Sequence, residues 1–387
     1  MNTRIAIIGG GVAAYTAVET LRRSAVAREI KIIWIAPKPS LVYKPYFFDA
    51  LSGYRQISEY TFPLTGYHQK FHIDFFASMV DRFDSANNAL HLASDRTVYY
   101  EYALLASGQH TSVPEQIQSE YTVDAHDIAT LLQHIEAQFL LAKEQLSLLR
   151  KPFLSFVIEG RTITSVVTLF AIYNYTEFLR KKYDFRRNEI SITYISAEKQ
   201  FGGDVPLKLT DMLEQYARDH GIDIQLHATI RSFEQGRLVL GNGAVLDTHT
   251  FVTGGVPELD PLYAQAGLSA DQFGGLAVNT YLQLPEVFNV YACGSLINYY
   301  DPHKKERTWD SFPIAEQQAK VAANNIVAEI RGRNKQMYQP KTAVEFIPVS
   351  DQLCIGMYGD QIYFNNIMQK SRIFLAKKYM WQLVMPD

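Results

Sequence analysis

A cluster of glycines near the start of the sequence has the spacing of a turn that binds phosphate. A short apolar segment leads into Gly9-Gly10-Gly11, and a run of helix-forming residues follows. In the pattern GxGxxA, Gly9 permits a tight turn, Gly11 lets a diphosphate approach the backbone, and Ala14 allows helix and strand to pack closely. The first helical N–H groups, in Val12 and Ala13, then face the diphosphate. The pattern predicts a dinucleotide-binding turn; the alternative is a glycine-rich turn that only packs a helix on a strand.

The next predicted strand lacks the acid that usually accompanies such a turn. This strand covers residues 31–35, and a carboxylate at its end normally bonds the ribose of the adenosine. Here that position holds Ala36, followed by Pro37. Lys38 is close enough in sequence to meet a phosphate, or it is a solvated charge. We therefore expect a dinucleotide site with one polar contact missing.

Composition and charge exclude several classes of protein. The 387 residues suffice for two to three domains of ~150 residues. Lys and Arg number 37 and Asp and Glu 40, a net charge of -3, so there is no basic field for a nucleic acid. Cys293 and Cys354 are the only cysteines, too few for a disulfide framework, and we find no metal-ligand spacing. Since no apolar run reaches ~18 residues, we expect a cytoplasmic protein without a spanning helix.

Four further segments resemble those of a known group of flavoproteins. They are residues 43–53, 102–108, 285–295 and 315–326. Together with the glycine turn, their order resembles the flavoproteins with two dinucleotide-binding domains, specifically the type II NADH dehydrogenases and sulfide:quinone oxidoreductases. The resemblance implies FAD as the cofactor. It places FAD against a set of residues on several segments: Gly9, Gly11, Val12, Ala13, Ala14, Ala36, Lys44, Pro45, Ser107, Gly108, Gly294, Ser295 and Gln317.

The resemblance also implies the fold. We expect an α/β protein with two Rossmann-like dinucleotide-binding domains, the second inserted in the first, plus a small C-terminal region ending in an amphipathic helix. The FAD-binding domain would comprise residues 1–115 and 265–330. The second domain would comprise residues 116–264, and the C-terminal region residues 331–387.

The second dinucleotide turn of this group is altered here. After a predicted strand at 153–158 the sequence continues Glu159-Gly160-Arg161-Thr162-Ile163-Thr164. Aligned on GxGxxG, the three key positions hold Glu159, Arg161 and Thr164. At ~4 Å and an effective dielectric of about 20, a carboxylate repels each phosphate charge by about 4 kcal/mol. We expect ordinary NAD(P)H binding to be poor; the alternative is an alignment that slips by one residue.

Two substitutions bear on the chemistry that FAD would perform. The group's Gly-Asp pair, whose carboxylate holds the ribityl chain, is Gly294-Ser295 here, which removes a charge-assisted hydrogen bond worth ~1–3 kcal/mol. No cysteine follows the strand at 153–158, and we interpret Cys293 as a small core residue. Sulfide oxidation by the usual disulfide route is therefore not expected.

The candidate catalytic residues are Gln317, Gln318 and Lys44. The glutamines would lie near the flavin ring or on the helix surface, and Lys44, with Tyr43, would approach the flavin edge or pack in a loop. The sequence favours a FAD-dependent oxidoreductase that moves electrons or hydride between a small-molecule donor and an acceptor, with quinone as a candidate partner, and that does not use NADH in the standard way. The alternatives are a conventional NAD(P)H:quinone reductase with an unusual nucleotide loop and a non-catalytic descendant that serves binding or assembly.

The segment from Ser371 to Met385 combines apolar and aromatic residues with Arg372, Lys377 and Lys378. Such a helix can lie in a membrane interface, which would put the protein on the inner face of the membrane. It is too short to span a bilayer. The alternative is a helix docked on its own domain or on a homodimer partner, and the sequence leaves the oligomeric state open.

Overall fold

The structure, a computed structural model, describes residues 2–125, 127–203 and 205–384. These residues form α-helices and strands in alternation over most of the chain. The α-helices are Val12–Arg22 (α1), Phe47–Leu51 (α2), Thr65–Lys70 (α3), Ile128–Glu144 (α4), Ile163–Tyr183 (α5), Leu207–Asp219 (α6), Pro261–Gln265 (α7), Phe312–Ile330 (α8) and Asn366–Val384 (α9).

The strands are mostly short. They are Thr3–Ile8 (β1), Ile30–Ala36 (β2), Ser40–Val42 (β3), Thr61–Pro63 (β4), Asp74–Ala77 (β5), Val80–Asp84 (β6), Ala89–Leu92 (β7), Thr97–Tyr99 (β8), Tyr102–Leu105 (β9), His110–Ser112 (β10), Thr122–Asp124 (β11), Ser155–Glu159 (β12), Ser191–Ile195 (β13), Asp223–Gln225 (β14), Ile230–Glu234 (β15), Arg237–Leu240 (β16), Val245–Asp247 (β17), Thr250–Thr253 (β18), Val256–Glu258 (β19), Val290–Ala292 (β20), Tyr300–Asp301 (β21), Glu306–Arg307 (β22), Glu345–Pro348 (β23), Cys354–Tyr358 (β24) and Gln361–Asn365 (β25).

Two five-stranded sheets, parallel throughout, organise the molecule. The first has the order β20-β9-β1-β2-β5, and the second has the order β11-β18-β12-β13-β14. The first sheet is interrupted in sequence between β9 and β20, and the whole second sheet is formed within that interruption. This arrangement confirms the predicted α/β fold with one Rossmann-like unit inserted in another. Its boundaries at 115, 264 and 330 stay predictions.

The apolar residues that line the strands supply the cores. Ile5, Ala6 and Ile7 of β1 are fully buried, as expected for a strand covered on both faces. Helices α1 and α8 pack against each other on the first sheet. The core of the second unit extends beyond its own sheet, because it includes Tyr43, Tyr46 and Ile355 from outside the insertion. The first unit and the C-terminal region are therefore joined through the apolar core of the second.

The C-terminal region is an antiparallel sheet, β23-β24-β25, with α9 packed on it. One face of α9 is buried through Arg372 and Ala376, and the other exposes Phe374 and Trp381. The burial of Arg372 corrects its grouping with the exposed Lys377 and Lys378. Met385 lies outside the described residues. None of the helices formed by the described residues has the length and apolarity needed to cross a bilayer.

Candidate functional site

The glycine turn after β1 is tight on one side and open on the other. Gly9 has a φ of +138°, and a Cβ there would lie 2.1 Å from the carbonyl oxygen of Ala106. Gly11 is the N-cap of α1, and a Cβ built on it would meet nothing within 4 Å. No side chain caps α1 in the described structure. The start of α1 therefore offers N–H groups and free space, the two properties that a diphosphate requires.

A second segment, which follows the edge strand β20 of the first sheet, approaches the same turn. Gly294 follows β20 with a φ of +75°, and a Cβ there would lie 3.1 Å from the Cβ of Ala13. Its N–H donates to the Oε1 of Gln318 at 2.8 Å, inside the protein. Ser295 comes next, in a half-buried position. The structure thus brings Gly294 and Ser295 to the start of α1, as their shared assignment to the cofactor requires.

Three other predicted cofactor residues surround the same turn. Ala36 is 1% exposed and packs behind Gly10, whose Cβ would lie 3.5 Å away. Ser107 is exposed, and its Oγ lies 2.9 Å from the hydroxyl of Tyr263. Gly108 has a φ of +89° and open space where a Cβ would be. The backbone features of a dinucleotide site are therefore present, while the carboxylates expected at positions 36 and 295 are absent.

The two glutamines of α8 point to different neighbours. Gln318 is buried and is held by Gly294, so its amide oxygen is already engaged. Gln317 donates to the carbonyl oxygen of Lys341 at 3.0 Å and accepts from the N–H of Lys341 at 2.8 Å. These two hydrogen bonds fix Gln317 to the linker that leads to β23. Its predicted contact with a flavin ring stays a prediction.

Lys44 and Pro45 lie in a short 3₁₀ helix, Lys44–Tyr46, that precedes α2. Lys44 is exposed, and its charge acts on Asp310. The carbonyl oxygen of Pro45 accepts a hydrogen bond from Arg372 at 3.1 Å. Lys44 is thus directed toward the residues before α8, whereas Pro45 is anchored by α9.

An aromatic cluster joins three distant parts of the chain at the start of α8. Tyr43 and Tyr379 stack with their ring centroids 5.1 Å apart, and Phe312 meets them edge-on at 5.0 and 4.8 Å. The hydroxyl of Tyr379 is buried and has no hydrogen-bond partner in the described structure. We call Tyr43, Phe312 and Tyr379 the aromatic cluster. It places α9 beside the segment that carries Lys44.

Carboxyl groups that the sequence did not single out lie next to the aromatic cluster. Glu345, on β23, accepts a hydrogen bond of 2.6 Å from the Oγ of Ser311, the N-cap of α8. Asp310 precedes Ser311 and lines a cavity of about 20 Å³ together with Gly294 and Gln318. That volume holds one water molecule. No sequence motif marks Glu345, because it reaches this place through the C-terminal sheet.

The second glycine turn differs from the first in shape, and its register corrects the sequence alignment. The N–H of Gly160 donates to Ile195 at 3.0 Å, as that of Gly9 donates to Ile35 at 2.9 Å. Thr162 is the N-cap of α5, as Gly11 is of α1. The structural equivalents of Gly9, Gly11 and Ala14 are therefore Gly160, Thr162 and Ser165. The alignment on Glu159, Arg161 and Thr164 is wrong by one residue, because Glu159 still belongs to β12.

Side chains contact the second turn at positions where the first turn has none. A Cβ on Gly160 would be 2.1 Å from Ser165 Oγ and 2.7 Å from the hydroxyl of Tyr194. Ser165 Oγ also accepts from the N–H of Thr162 at 3.2 Å, as in a capping box. Glu159 accepts a hydrogen bond from Thr253 at 2.8 Å. Thr162 has a side chain where the first turn has only the hydrogen of Gly11.

The two cysteines are buried and free; Cys293 comes directly after β20, and Cys354 begins β24. Burial raises the pKa of the Cys293 thiol far above its usual range and that of Cys354 to about 12. Both thiols therefore stay protonated at neutral pH, the form that does not attack a disulfide. The described residues hold no group of three or more metal-ligating side chains.

A surface recess of about 490 Å³ lies elsewhere, around Thr3, Tyr102 and Glu329. It is at the amino ends of β1 and β9. Ligands of open parallel sheets bind at the carboxyl ends of the strands, where the Gly9 turn lies. This recess is therefore not part of the candidate site.

The chain belongs to the pyridine nucleotide-disulphide oxidoreductase family, whose model matches residues 3–319. It is 23% identical over 381 residues to a sulfide-quinone reductase of Aquifex aeolicus, covering 94% of this chain and 83% of that protein. It is 22% identical over 303 residues to an NADH dehydrogenase-like protein of Mycobacterium tuberculosis, covering 76% and 72%.

Solved structures agree with this grouping. The sulfide:quinone oxidoreductase of Aquifex aeolicus superposes with a TM-score of 0.80 at 18% identity, covering 98% of this chain and 91% of that one. The NDH2 of Plasmodium falciparum also gives a TM-score of 0.80, at 12% identity, covering 99% and 95%. The predicted resemblance to the sulfide:quinone oxidoreductase and type II NADH dehydrogenase group is thereby confirmed.

Proposed function

We propose that this protein is a FAD-dependent oxidoreductase that takes electrons from a small-molecule donor other than NAD(P)H and passes them to a small acceptor of the quinone class. The observation that carries the proposal is the difference between the two glycine turns. Space lies in front of Gly11 at the start of α1, whereas the corresponding residue at α5 is Thr162, which has a side chain and whose N–H already donates to Ser165 Oγ. One dinucleotide fits such a molecule, and a second does not.

The residues of the first turn define how FAD would be held. The N–H groups at the start of α1 would bind the diphosphate, and Gly9 keeps the turn close to Ala106. Gly294 and Ser295 would contact the ribityl chain, with one neutral hydroxyl in place of a carboxylate. When bound, the flavin supplies the two-electron redox chemistry. The protein's own contribution is to orient the reactants and to exclude water with the aromatic cluster.

The quinone class is favoured by the chemistry beside the aromatic cluster. Tyr43, Phe312 and Tyr379 form an apolar wall suited to a flat ring. Polar groups border that wall through Lys44, Asp310 and Glu345. The curated relative from Aquifex aeolicus is named for quinone reduction, which agrees with this choice. The sulfide part of that name is not carried over, since both cysteines are buried and protonated.

The visible spectrum of the purified protein tests the proposal. We expect a yellow protein that NADH and NADPH do not bleach under anaerobic conditions and that dithionite does bleach. Bleaching by either nucleotide would instead identify a conventional NAD(P)H:quinone reductase. A colourless protein that takes up no added FAD would identify a non-catalytic descendant. Gly11→Leu is the matched control, because its side chain fills the open turn and should prevent FAD uptake.

We also propose that the exposed face of α9 rests on an anionic membrane surface, from which a quinone would reach the site. Phe374 is 67% exposed and Trp381 63%, on the side of α9 opposite Arg372. Lys377 and Lys378 are exposed beside them. Aromatic residues favour the headgroup region and lysines favour anionic lipid. Tyr379 of the same helix belongs to the aromatic cluster, so α9 connects this exposed face with the proposed acceptor site.

A further inference from the structure

Two carboxyl side chains from distant parts of the sequence lie next to Ser311 at the start of α8. Asp310 immediately precedes Ser311, the N-cap of α8, and Glu345 comes from β23. Ser311 Oγ donates to Glu345 at 2.6 Å, which fixes that carboxyl group beside the helix terminus. Glu345 is half-buried, and Asp310 is exposed to solvent. We call Asp310 and Glu345 the carboxyl pair.

The surroundings of the carboxyl pair favour retention of a proton. Burial, followed by the charge of Asp310, raises the pKa of Glu345 to about 7 against the opposing effect of the Ser311 hydrogen bond. Desolvation by the surrounding protein raises the pKa of Asp310 as well, against the opposing charges of Lys44 and Arg307. On the neighbouring strand β24, Glu345 faces Met357, which has no charge. A nearby carboxylate opposes ionisation, so the negative charge of Asp310 helps Glu345 to keep its proton toward neutral pH.

The carboxyl pair has access both to water and to the cofactor-binding segment. Asp310 lines the cavity of about 20 Å³ with Gly294 and Gln318, and the cavity has room for one water molecule. Phe312 of the aromatic cluster follows Ser311 directly, and Lys44 follows Tyr43 of that cluster. Asp310 thus lies at this cavity, and Ser311, which donates to Glu345, directly precedes Phe312 of the aromatic cluster.

We propose that Glu345 and Asp310 form the proton-transfer pair for the acceptor that is reduced beside the aromatic cluster. This inference rests on the proposed function. A quinone becomes a hydroquinone by taking up two electrons and two protons. FAD, when bound, would supply the two electrons and one of the protons taken from the donor. The second proton would come from the carboxyl pair. The carboxylic O–H bond breaks as the O–H bond of the hydroquinone forms, and the remaining carboxylate regains a proton from water.

The carboxyl pair could alternatively serve only to join β23 to α8. The two roles predict different effects of substitutions at Ser311 and Asp310 on the pH dependence of acceptor reduction. If the pair transfers the proton, any change in its pKa must move the pH dependence of acceptor reduction in the same direction. If it only joins the two elements, the pKa can move with no effect on that pH dependence.

Infrared titration of the protonated carboxyl band, from about pH 5 to about pH 9, gives the pKa without any catalytic assay. We expect a midpoint near pH 7 in the wild type and loss of that component in Glu345→Gln. Ser311→Ala should move the midpoint upward, and Asp310→Asn should move it downward. Glu306→Gln, at an exposed side chain, is the matched control and should leave it unchanged. Far-UV circular dichroism of each variant verifies folding.

The same variants, loaded with FAD and reduced by dithionite, are then mixed with a water-soluble benzoquinone at each pH. We expect Glu345→Gln to reoxidise at least tenfold more slowly, within the range for loss of a general acid. Ser311→Ala should shift the pH profile upward, and Asp310→Asn should shift it downward. Midpoints that move while the reoxidation profile stays fixed would overturn the proton-transfer role and leave the proposed function intact. If neither the wild type nor any variant takes up FAD, both the proposed function and the proton-transfer role are overturned. The infrared titration would still measure the pKa of the carboxyl pair.

Discussion

The guanidinium of Arg372 donates hydrogen bonds to both carboxylate oxygens of Asp49, with two N···O distances of 2.7 Å. The side chains are 4% and 6% exposed, so the ion pair is buried. Arg372 also donates to the carbonyl oxygen of Pro45 and to Gln369 on its own helix. Asp49 lies in α2, directly after the predicted cofactor-contacting segment, and Arg372 lies in α9. This buried ion pair, together with the stacking of Tyr379 on Tyr43, holds the C-terminal helix to the candidate site.

Breaking this ion pair should destabilise the protein strongly. Asp49→Asn leaves the buried charge of Arg372 without its partner, and we expect a loss of about 3–5 kcal/mol in the apparent free energy of unfolding in urea. The double variant Asp49→Leu, Arg372→Met should recover most of that loss, because it removes both charges and keeps apolar volume. Single variants within about 1 kcal/mol of the wild type would contradict a structural role for the pair.

Gly9 and Gly11 should respond differently to alanine. Gly9→Ala places a Cβ 2.1 Å from the carbonyl oxygen of Ala106 at a φ of +138°, so we expect it to destabilise the fold by at least about 2 kcal/mol. At Gly11 nothing lies within 4 Å, and Gly11→Ala should change stability by less than about 1 kcal/mol. Its methyl group should nevertheless weaken FAD binding by about tenfold or more, since it enters the space for the diphosphate. Thermal unfolding and flavin content after dialysis measure the two effects separately.

Opening the second turn should create affinity for NADH. Thr162→Gly with Ser165→Gly restores GxGxxG in the structural register and removes the side chains that fill the turn. We expect measurable NADH binding by calorimetry where the wild type shows none, and a stability cost of about 1–2 kcal/mol from the lost helix cap. Thr164→Gly is the matched control, because Thr164 stands one residue outside that register. Equal NADH binding by the wild type and the double variant would refute the blocked second turn.

The first glycine turn could be predicted from sequence because strand, turn and helix are contiguous there. The sequence also predicts that the second turn is altered, but the predicted alignment is wrong by one residue. It ends the strand at Ile158 and counts Glu159 as part of the turn. In the structure Glu159 is tolerated at the end of β12 because it accepts a hydrogen bond from Thr253, 94 residues further along the chain. Local patterns contain no information about such a partner.

The same limit applies to the residues beside the aromatic cluster. The sequence predicts that Gln317 and Gln318 both lie near the flavin ring. In the structure Gln317 bonds the linker at Lys341, and Gln318 accepts from the N–H of Gly294. Glu345 and Tyr379 carry no motif, because their positions depend on how the C-terminal sheet and α9 fold back on α8. Arg372 was expected among exposed basic residues, and only its partner Asp49 explains its burial. A pair of residues with more than 300 positions between them requires the tertiary structure.

Binding to lipid vesicles should depend on the exposed face of α9. We expect the wild type to sediment with vesicles containing anionic phospholipid and the variant Phe374→Ser, Trp381→Ser to remain in the supernatant, because aromatic anchors are lost while Lys377 and Lys378 remain. Leu148→Ser is the matched control, since Leu148 is 92% exposed but lies in the second unit. Equal sedimentation of both variants would remove α9 from membrane contact. Raising the salt concentration should weaken wild-type binding if anionic lipid is recognised.

Glu345 should make the protein less stable as the pH rises from about 4.5 to about 7. Burial raises its pKa from 4.5 to about 7 in the folded state, so over this interval the folded protein keeps a proton that the unfolded chain has released. Stability falls with pH wherever the folded state binds more protons, and the decline ends above about pH 7. Because Glu345 is half-buried, solvent screening reduces the full effect, and we expect about 1–3 kcal/mol. Glu345→Gln should flatten the decline and be more stable than the wild type at about pH 8, whereas the exposed Glu306→Gln should follow the wild type. Urea unfolding at several pH values measures the slope, and an unchanged slope in Glu345→Gln would show that another group titrates in this interval.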